Sequence, residues 1–437
     1  MTVTADRPKR ESFGYPRNMP EDIRILDLAN PDFPQTFVEQ SQLAAPMAGA
    51  VHLEVDAIAA QASADTGLTD FGEPGWEERL GVILGDLRES FELSPIGKLS
   101  AYAQFTSFLK NRLLLEDLWK RHPEIDDVEQ KPPIIIAGLP RSGTTHLHSL
   151  IGCDPKIRDL PWWEALEPVL ADSEKPAPGQ PDPRLERAAA GIAFRDSAMP
   201  HFNAMHEMTV DHTHEEIHLL AIDLSTMFME NMGSAVNPRY RDYYMQQDQA
   251  PHYRYLQKIL RTLQWLRGGD RWVLKSPQHL EQLSVIAEVF PDATVAINHR
   301  DPVSTVASFS TMITYSTRLS VAKPDPKAIG HYWADRLERM LQRCVEQRDS
   351  LAEERSIDVL FHEYMGNELG TIESIYKMAN VDFDEESAQA IATYQDEHPR
   401  GRFGRVRYDL ADFELDKDEL RERFRFYTDR FPVRLES

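Results

Sequence analysis

Only two cysteines occur in the 437 residues, Cys153 and Cys344, too few for a disulfide framework and without metal-ligand spacing. That usage suits a reducing compartment, and a cytoplasmic location is expected. Long apolar runs are also missing. No stretch approaches the roughly 20 apolar residues that a membrane span needs, and Met1 to Asn18 carries no apolar signal core. Basic residues are in deficit, 48 against 71 acidic ones, for a formal net charge of -23. This balance opposes nonspecific attraction to nucleic acid or anionic lipid, so no nucleic-acid partner is expected and any anionic ligand must be held by local cations. Internal repeats and long low-complexity tracts are absent as well.

What is present is enough apolar material, 41 % of residues, to bury a large core in one big domain or two modest ones. Residues 1–40 carry Pro16, Pro20, Pro31 and Pro34 among charges and are expected to form an irregular arm. Residues 41–130 have apolar positions at helical spacing, as in Leu80-Ile83-Leu84-Leu87 and Phe105-Phe108-Leu109-Leu113, which predicts an N-terminal helical layer. A third region, 131–437, alternates short apolar runs with helical patterns. The runs are Ile134-Ile135-Ile136-Ala137, Trp272-Val273-Leu274, Ala293 to Ile297, and Val359-Leu360-Phe361. Such alternation predicts an α/β fold with a mostly parallel, P-loop-type sheet flanked by helices. A helical insertion of about residues 159–269 separates the first two strands, opening with a proline-rich surface stretch from Ser173 to Pro183.

The first strand runs into Gly138-Leu139-Pro140-Arg141-Ser142-Gly143-Thr144-Thr145 and then into an apolar helix. In a strand, tight loop and helix N-terminus, backbone N–H groups and the helix dipole converge on an anion. The spacing matches G-x-x-x-x-G-K-[ST] at both glycines and at Thr145, but Thr144 stands where a nucleoside triphosphatase has its lysine. That argues against ATP hydrolysis, and Arg141 is the expected replacement cation. The third strand ends in His299-Arg300-Asp301-Pro302, with Ser308 about two helical turns on. Arg300 and Ser308 are placed to close on one phosphate, although Arg-Asp-Pro is equally a good capped helix start. His398 to Arg405 adds a basic, glycine-containing loop in an otherwise acidic chain.

Pro140 to Thr145 resembles the 5'-phosphosulfate loop of sulfotransferases that use 3'-phosphoadenosine-5'-phosphosulfate, in the arginine form of the bacterial and Golgi-type branches. The resemblance implies that Arg141, Ser142, Gly143, Thr144 and Thr145 hold the donor's phosphosulfate and that Arg300 and Ser308 hold its 3'-phosphate. Arg400, Gly401 and Arg402 are similar to the family's Arg-Lys-Gly loop, less closely at Arg402. Leu274-Lys275-Ser276-Pro277-Gln278-His279 resembles the lysine-bearing segment, which makes Lys275 the residue that assists the departing phosphate. His279 is the leading candidate for the base, although it lies four residues after the lysine rather than two. The resemblance implies transfer to a hydroxyl of a small acceptor, with no metal. The apolar content of the helical layer and insertion suggests a lipid, steroid or phenol, and a homodimer is compatible with all of this.

One competing signal stands in the insertion. His214-Glu215-Glu216-Ile217-His218 spells H-E-x-x-H, which on a helix sets two imidazoles on one face for zinc. The extended motif fails, because Ala221 and Leu224 occupy the later positions. Glu215, Glu216, His206 and Trp162 are therefore expected to line an acceptor pocket. A nucleotide kinase or triphosphatase and a zinc peptidase remain the alternatives.

Overall fold

Pro132 and Pro133 have no N–H to donate, so strand pairing slips between Lys131 and Ile134 before it becomes regular. From there a continuous apolar run forms the middle of a sheet, in a computed structural model that describes residues 22–89 and 92–436. The strands are β1 (Asp22–Ile23), β2 (Lys131–Gly138), β3 (Arg271–Lys275), β4 (Thr294–His299), β5 (Ser356–Leu360) and β6 (Arg405–Val406). Four of them make one parallel sheet in the order β3-β2-β4-β5, and β1 pairs with β6 apart from it.

The run in β2 is uninterrupted because both faces are covered. Ile134 and Ile136 face one layer with Leu147, Leu150, Ile372 and Ile375, while Ile135 and Ala137 face the other with Leu256, Ile259, Phe309 and Trp333. All four β2 residues are fully buried. The helices Val55–Thr66, Trp76–Glu89 and Pro95–Arg121 pack through Ile58, Leu80, Leu84, Phe105 and Leu109 onto Tyr240 and Tyr244 of the insertion.

Three boundaries differ from the sequence-based expectation. The helix Gln35–Ala48 begins inside the expected arm, residues 22 and 23 already pair as a strand, and residues 1–21 lie outside the described residues. Phe361 opens a single helical turn, Phe361–Tyr364, instead of closing β5. The insertion has its irregular stretch, residues 175–182, inside the proline-rich segment 173–183 and is otherwise mostly helical. In register, Ile136 pairs with Lys275 and Gly138 with Asn298, so Lys275, the loop after Gly138 and Arg300 emerge at one edge. The carboxyl edge of an open parallel sheet is where ligands bind. Among the described residues no helix is long and apolar enough to cross a membrane.

Candidate active site

After Gly138 the chain turns through Leu139 to Gly143 and starts the helix Thr144–Gly152. Arg141 and Gly143 sit at φ 69° and 87°, the left-handed backbone that so tight a turn requires. No side chain fits at either glycine. A Cβ on Gly143 would meet Phe361 at 2.9 Å, and one on Gly138 would meet Thr144 at 2.6 Å. The Ser142 hydroxyl donates to the Leu139 carbonyl at 2.6 Å and is fully buried, so it closes the loop instead of facing outward. Thr144 is also buried. The first N–H groups of the helix have no intrahelical acceptor, and with the helix dipole they make the loop an anion cradle.

The cation beside this cradle is Lys275. Its ammonium donates to Thr145 Oγ1 at 3.2 Å and pairs with the Glu215 carboxylate, and its side chain is only 2 % exposed. Its backbone N–H donates to Glu216 Oε2 at 2.8 Å, and the other Glu216 oxygen bonds His279 Nε2. His279 Nδ1 in turn meets the Tyr253 hydroxyl at 2.8 Å. Burial alone would raise the Glu216 carboxyl, but the charge and hydrogen bond of His279 outweigh it and hold Glu216 below the ordinary carboxylate range. This arrangement corrects the expectation for His279. Both ring nitrogens are spent in a fully buried chain from Glu216 to Tyr253, so His279 orients Glu216 and has no nitrogen left for an acceptor. Glu215 differs: only one of its oxygens bonds Lys275, and the other makes no hydrogen bond among the described residues.

Arg141 departs from expectation too. Its guanidinium leaves the loop, donating to Ser308 Oγ at 3.0 Å, to Tyr408 Oη at 3.2 Å and to the Met205 carbonyl. Arg300 lies against the loop from the other side: Nη1 donates to the Arg141 carbonyl at 2.6 Å, and the guanidinium sits 4.2 Å from the centre of the Phe361 ring. Nε and Nη2 of Arg300 grip the Glu436 carboxylate at 2.6 and 2.7 Å. Arg300 and Ser308 thus meet at the loop through Arg141. The basic loop also reaches it: Arg400 pairs with Glu368, which lies 3.2 Å from His146 in the helix after the cradle, and Gly401 (φ 73°) turns the chain so that Arg402 pairs with Glu207. Glu436, Tyr408 and Tyr253 had no signal in the sequence, since each acts across more than 20 residues without a motif around it.

His214-Glu215-Glu216-Ile217-His218 is not the helical zinc pair. The helix starts only at Ile217, and His214 and His218 hydrogen-bond each other at 3.0 Å. His214 also bonds His212 at 3.1 Å, and His212 Nδ1 meets the Thr209 carbonyl at 3.0 Å. A carbonyl only accepts, so neutral His212 carries its proton on Nδ1, and the same logic puts a proton on Nδ1 of His214 and of His218. Trp162 packs edge-on against His214 and His218, with ring centres 4.3 and 4.9 Å apart. Burial, followed by the charges of Lys275, His212 and Arg141, drives His206 well below its ordinary value. Trp162, His206 and Glu215 are thereby brought into the neighbourhood of Lys275, whereas Glu216 turns inward.

The string makes the fold acid-sensitive. Burial pulls His212 down to about 4 and, with the charge of His212, His218 to about 3, against an ordinary 6.5. On acidification the unfolded chain takes up these protons first. Stability is therefore unaffected by them above about pH 7 and falls as pH drops from about 6.5 toward 4, by about 1.4 kcal/mol per unit for each imidazole. Urea unfolding across that range measures the slope. A midpoint constant from pH 7 to 5 would contradict the neutral string.

The profile of the sulfotransferase family matches residues 132–385. Sulfotransferase STF9 from Mycobacterium avium has a TM-score of 0.77 at 24 % identity, covering 88 % of this chain and 98 % of that one. Sulfotransferase STF1 from Mycobacterium tuberculosis H37Rv has a TM-score of 0.69 at 29 % identity, covering 84 % and 97 %. No curated protein matches.

Proposed function

Since the chain belongs to the sulfotransferase family and is therefore a transferase, we propose that it moves a sulfuryl group from 3'-phosphoadenosine-5'-phosphosulfate to a hydroxyl of a small, apolar acceptor. One observation carries the donor assignment. Two oxyanion positions, the cradle and the Arg300 grip, share one sheet edge and are joined by the hydrogen bond from Arg300 to the Arg141 carbonyl. A donor with a 5'-phosphosulfate and a 3'-phosphate needs two such positions. The fit of the second to an oxyanion is supported by the Glu436 carboxylate held there on both Arg300 nitrogens. Arg400, Gly401 and Arg402 flank the same end from the basic loop.

The donor supplies the sulfuryl group together with a phosphate able to leave. The chain's own part is electrostatic and acid–base. Lys275, with the cradle N–H groups, neutralises charge at the loop, as preorganised donors do where charge develops. Glu216 positions Lys275 through its backbone N–H. Glu215 accepts the acceptor's hydroxyl proton: it adjoins the ammonium, and its second oxygen is free of protein donors among the described residues. Trp162 and His206 line the acceptor side, and the apolar rings beside them, Phe202 against His206 and Phe228 against His218 next to Trp162, suit a lipid, steroid or phenol. Incubating the protein with sulfur-35-labelled donor and a panel of such acceptors tests the reading. Label transferred to a hydroxylated acceptor is the expected result, and no transfer to any class, with nucleotide binding intact, would exclude these acceptors.

A further inference from the structure

The grip of Arg300 on Glu436 is one part of a larger contact. Ser304 Oγ donates to the same carboxylate at 3.0 Å, and the Glu436 N–H donates to Asp301 Oδ2 at 2.7 Å. Arg421 donates to the Glu436 carbonyl at 2.9 Å and pairs with Asp301. Glu436 is therefore seated by its backbone as well as by its charge. Asp301 is fully buried and caps the helix Pro302–Thr317 through the Val303 N–H at 3.0 Å, so the seat is fixed by the fold. Arg300 is fixed independently of Glu436. The Arg141 carbonyl and the Phe361 ring hold it, and its grip survives if the carboxylate leaves. A carboxylate and a phosphate monoester present the same pair of oxygens to a guanidinium fork, and only one of them fits on it at a time.

Resting on the donor reading above, we propose that Glu436 is an internal competitor for the donor's 3'-phosphate, closing the Arg300 site in the free chain and yielding it when the nucleotide binds. The phosphate wins because it brings an additional charge and a third oxygen to a site that already has Arg300, Ser304 and, through Arg141, Ser308 around it. The cost is in apparent affinity, which is reduced by the fraction of molecules in which the site stands open. Nucleotides without a 3'-phosphate leave Glu436 in place and feel no such reduction. The same competition favours release of the 3'-phosphorylated product after transfer.

Calorimetric titration of the full chain with 3'-phosphoadenosine-5'-phosphate and with AMP tests this. Glu436→Ala is expected to tighten the 3'-phosphorylated nucleotide about tenfold, with AMP changed by less than about twofold. A second measurement needs no variant. Hydrogen exchange at the Glu436 amide of the unaltered protein should quicken several-fold with 3'-phosphoadenosine-5'-phosphate and stay unchanged with AMP. Equal affinity in both proteins with unaltered exchange overturns the competitor and leaves the donor reading standing. Failure of the unaltered protein and the variant alike to bind the nucleotide overturns both. Weaker binding by the variant also overturns the competitor, since it would make Glu436 a support of the site.

Discussion

Lys275→Met is expected to lower turnover by about a thousandfold while the affinity for 3'-phosphoadenosine-5'-phosphate changes by less than about threefold. Methionine keeps most of the apolar stem, which matters for a side chain only 2 % exposed, and removes only the ammonium. That ammonium sits 3.2 Å from Thr145 Oγ1, at the start of the helix that follows the loop, whereas the Arg141 guanidinium is bonded to Ser308. A thousandfold is about 4 kcal/mol of transition-state stabilisation, within the range of a preorganised donor in a site shielded from water. In the proposed donor site the Arg300 grip and the loop N–H groups, not Lys275, hold the nucleotide, so its binding is expected to persist. A drop in nucleotide affinity with turnover unchanged would make Lys275 a binding residue instead.

Glu215→Gln is expected to lower turnover by about a hundred- to ten-thousandfold, the usual contribution of a positioned proton acceptor. Glutamine keeps the size and the hydrogen bond to Lys275 but cannot take a proton. The substitution also leaves the Lys275 ammonium without its counterion, in a pair whose side chains are 2 % and 16 % exposed. Breaking so buried a pair costs about 3–5 kcal/mol, so the variant should also unfold at lower urea. The two effects separate: single-turnover rates are read on the folded fraction, and nucleotide titration counts that fraction. Full turnover in Glu215→Gln with loss in His206→Asn would move the proton to the imidazole, which lies near Lys275 and Arg141.

What the sequence disclosed and what it hid follow from the range of the interactions. The cradle is a local object. Eight consecutive residues set its turn, its two glycines and its helix start, so it is legible as a motif, as is the buried run Ile134 to Ala137. Arg300 and Ser308 are legible by spacing along one helix start. Direction is not legible. Whether Arg141 points into its own loop or to Ser308, 167 residues away, depends on which acceptors the fold presents, and Met205, Ser308 and Tyr408 come from three distant segments. His279 illustrates the same limit. Its spacing from Lys275 leaves its role open, and only the tertiary contacts with Glu216 and Tyr253 reveal that both nitrogens are occupied. The H-E-x-x-H match, kept only as an alternative, does not form the helical pair for a local reason: Glu216 precedes the helix and the two imidazoles hydrogen-bond each other. Glu436 was invisible, 136 positions from the arginine it grips.

The donor proposed for this site requires the Arg300 grip to be a 3'-phosphate site. The direct measurement is calorimetric titration of the unaltered protein and of Arg300→Ala with 3'-phosphoadenosine-5'-phosphate and with AMP. The unaltered protein should prefer the 3'-phosphorylated nucleotide, and Arg300→Ala should weaken that nucleotide by about a hundredfold, the loss of a bidentate charged pair, while AMP changes little. Equal affinity for the two nucleotides in the unaltered protein, or an equal loss of both in Arg300→Ala, would contradict it.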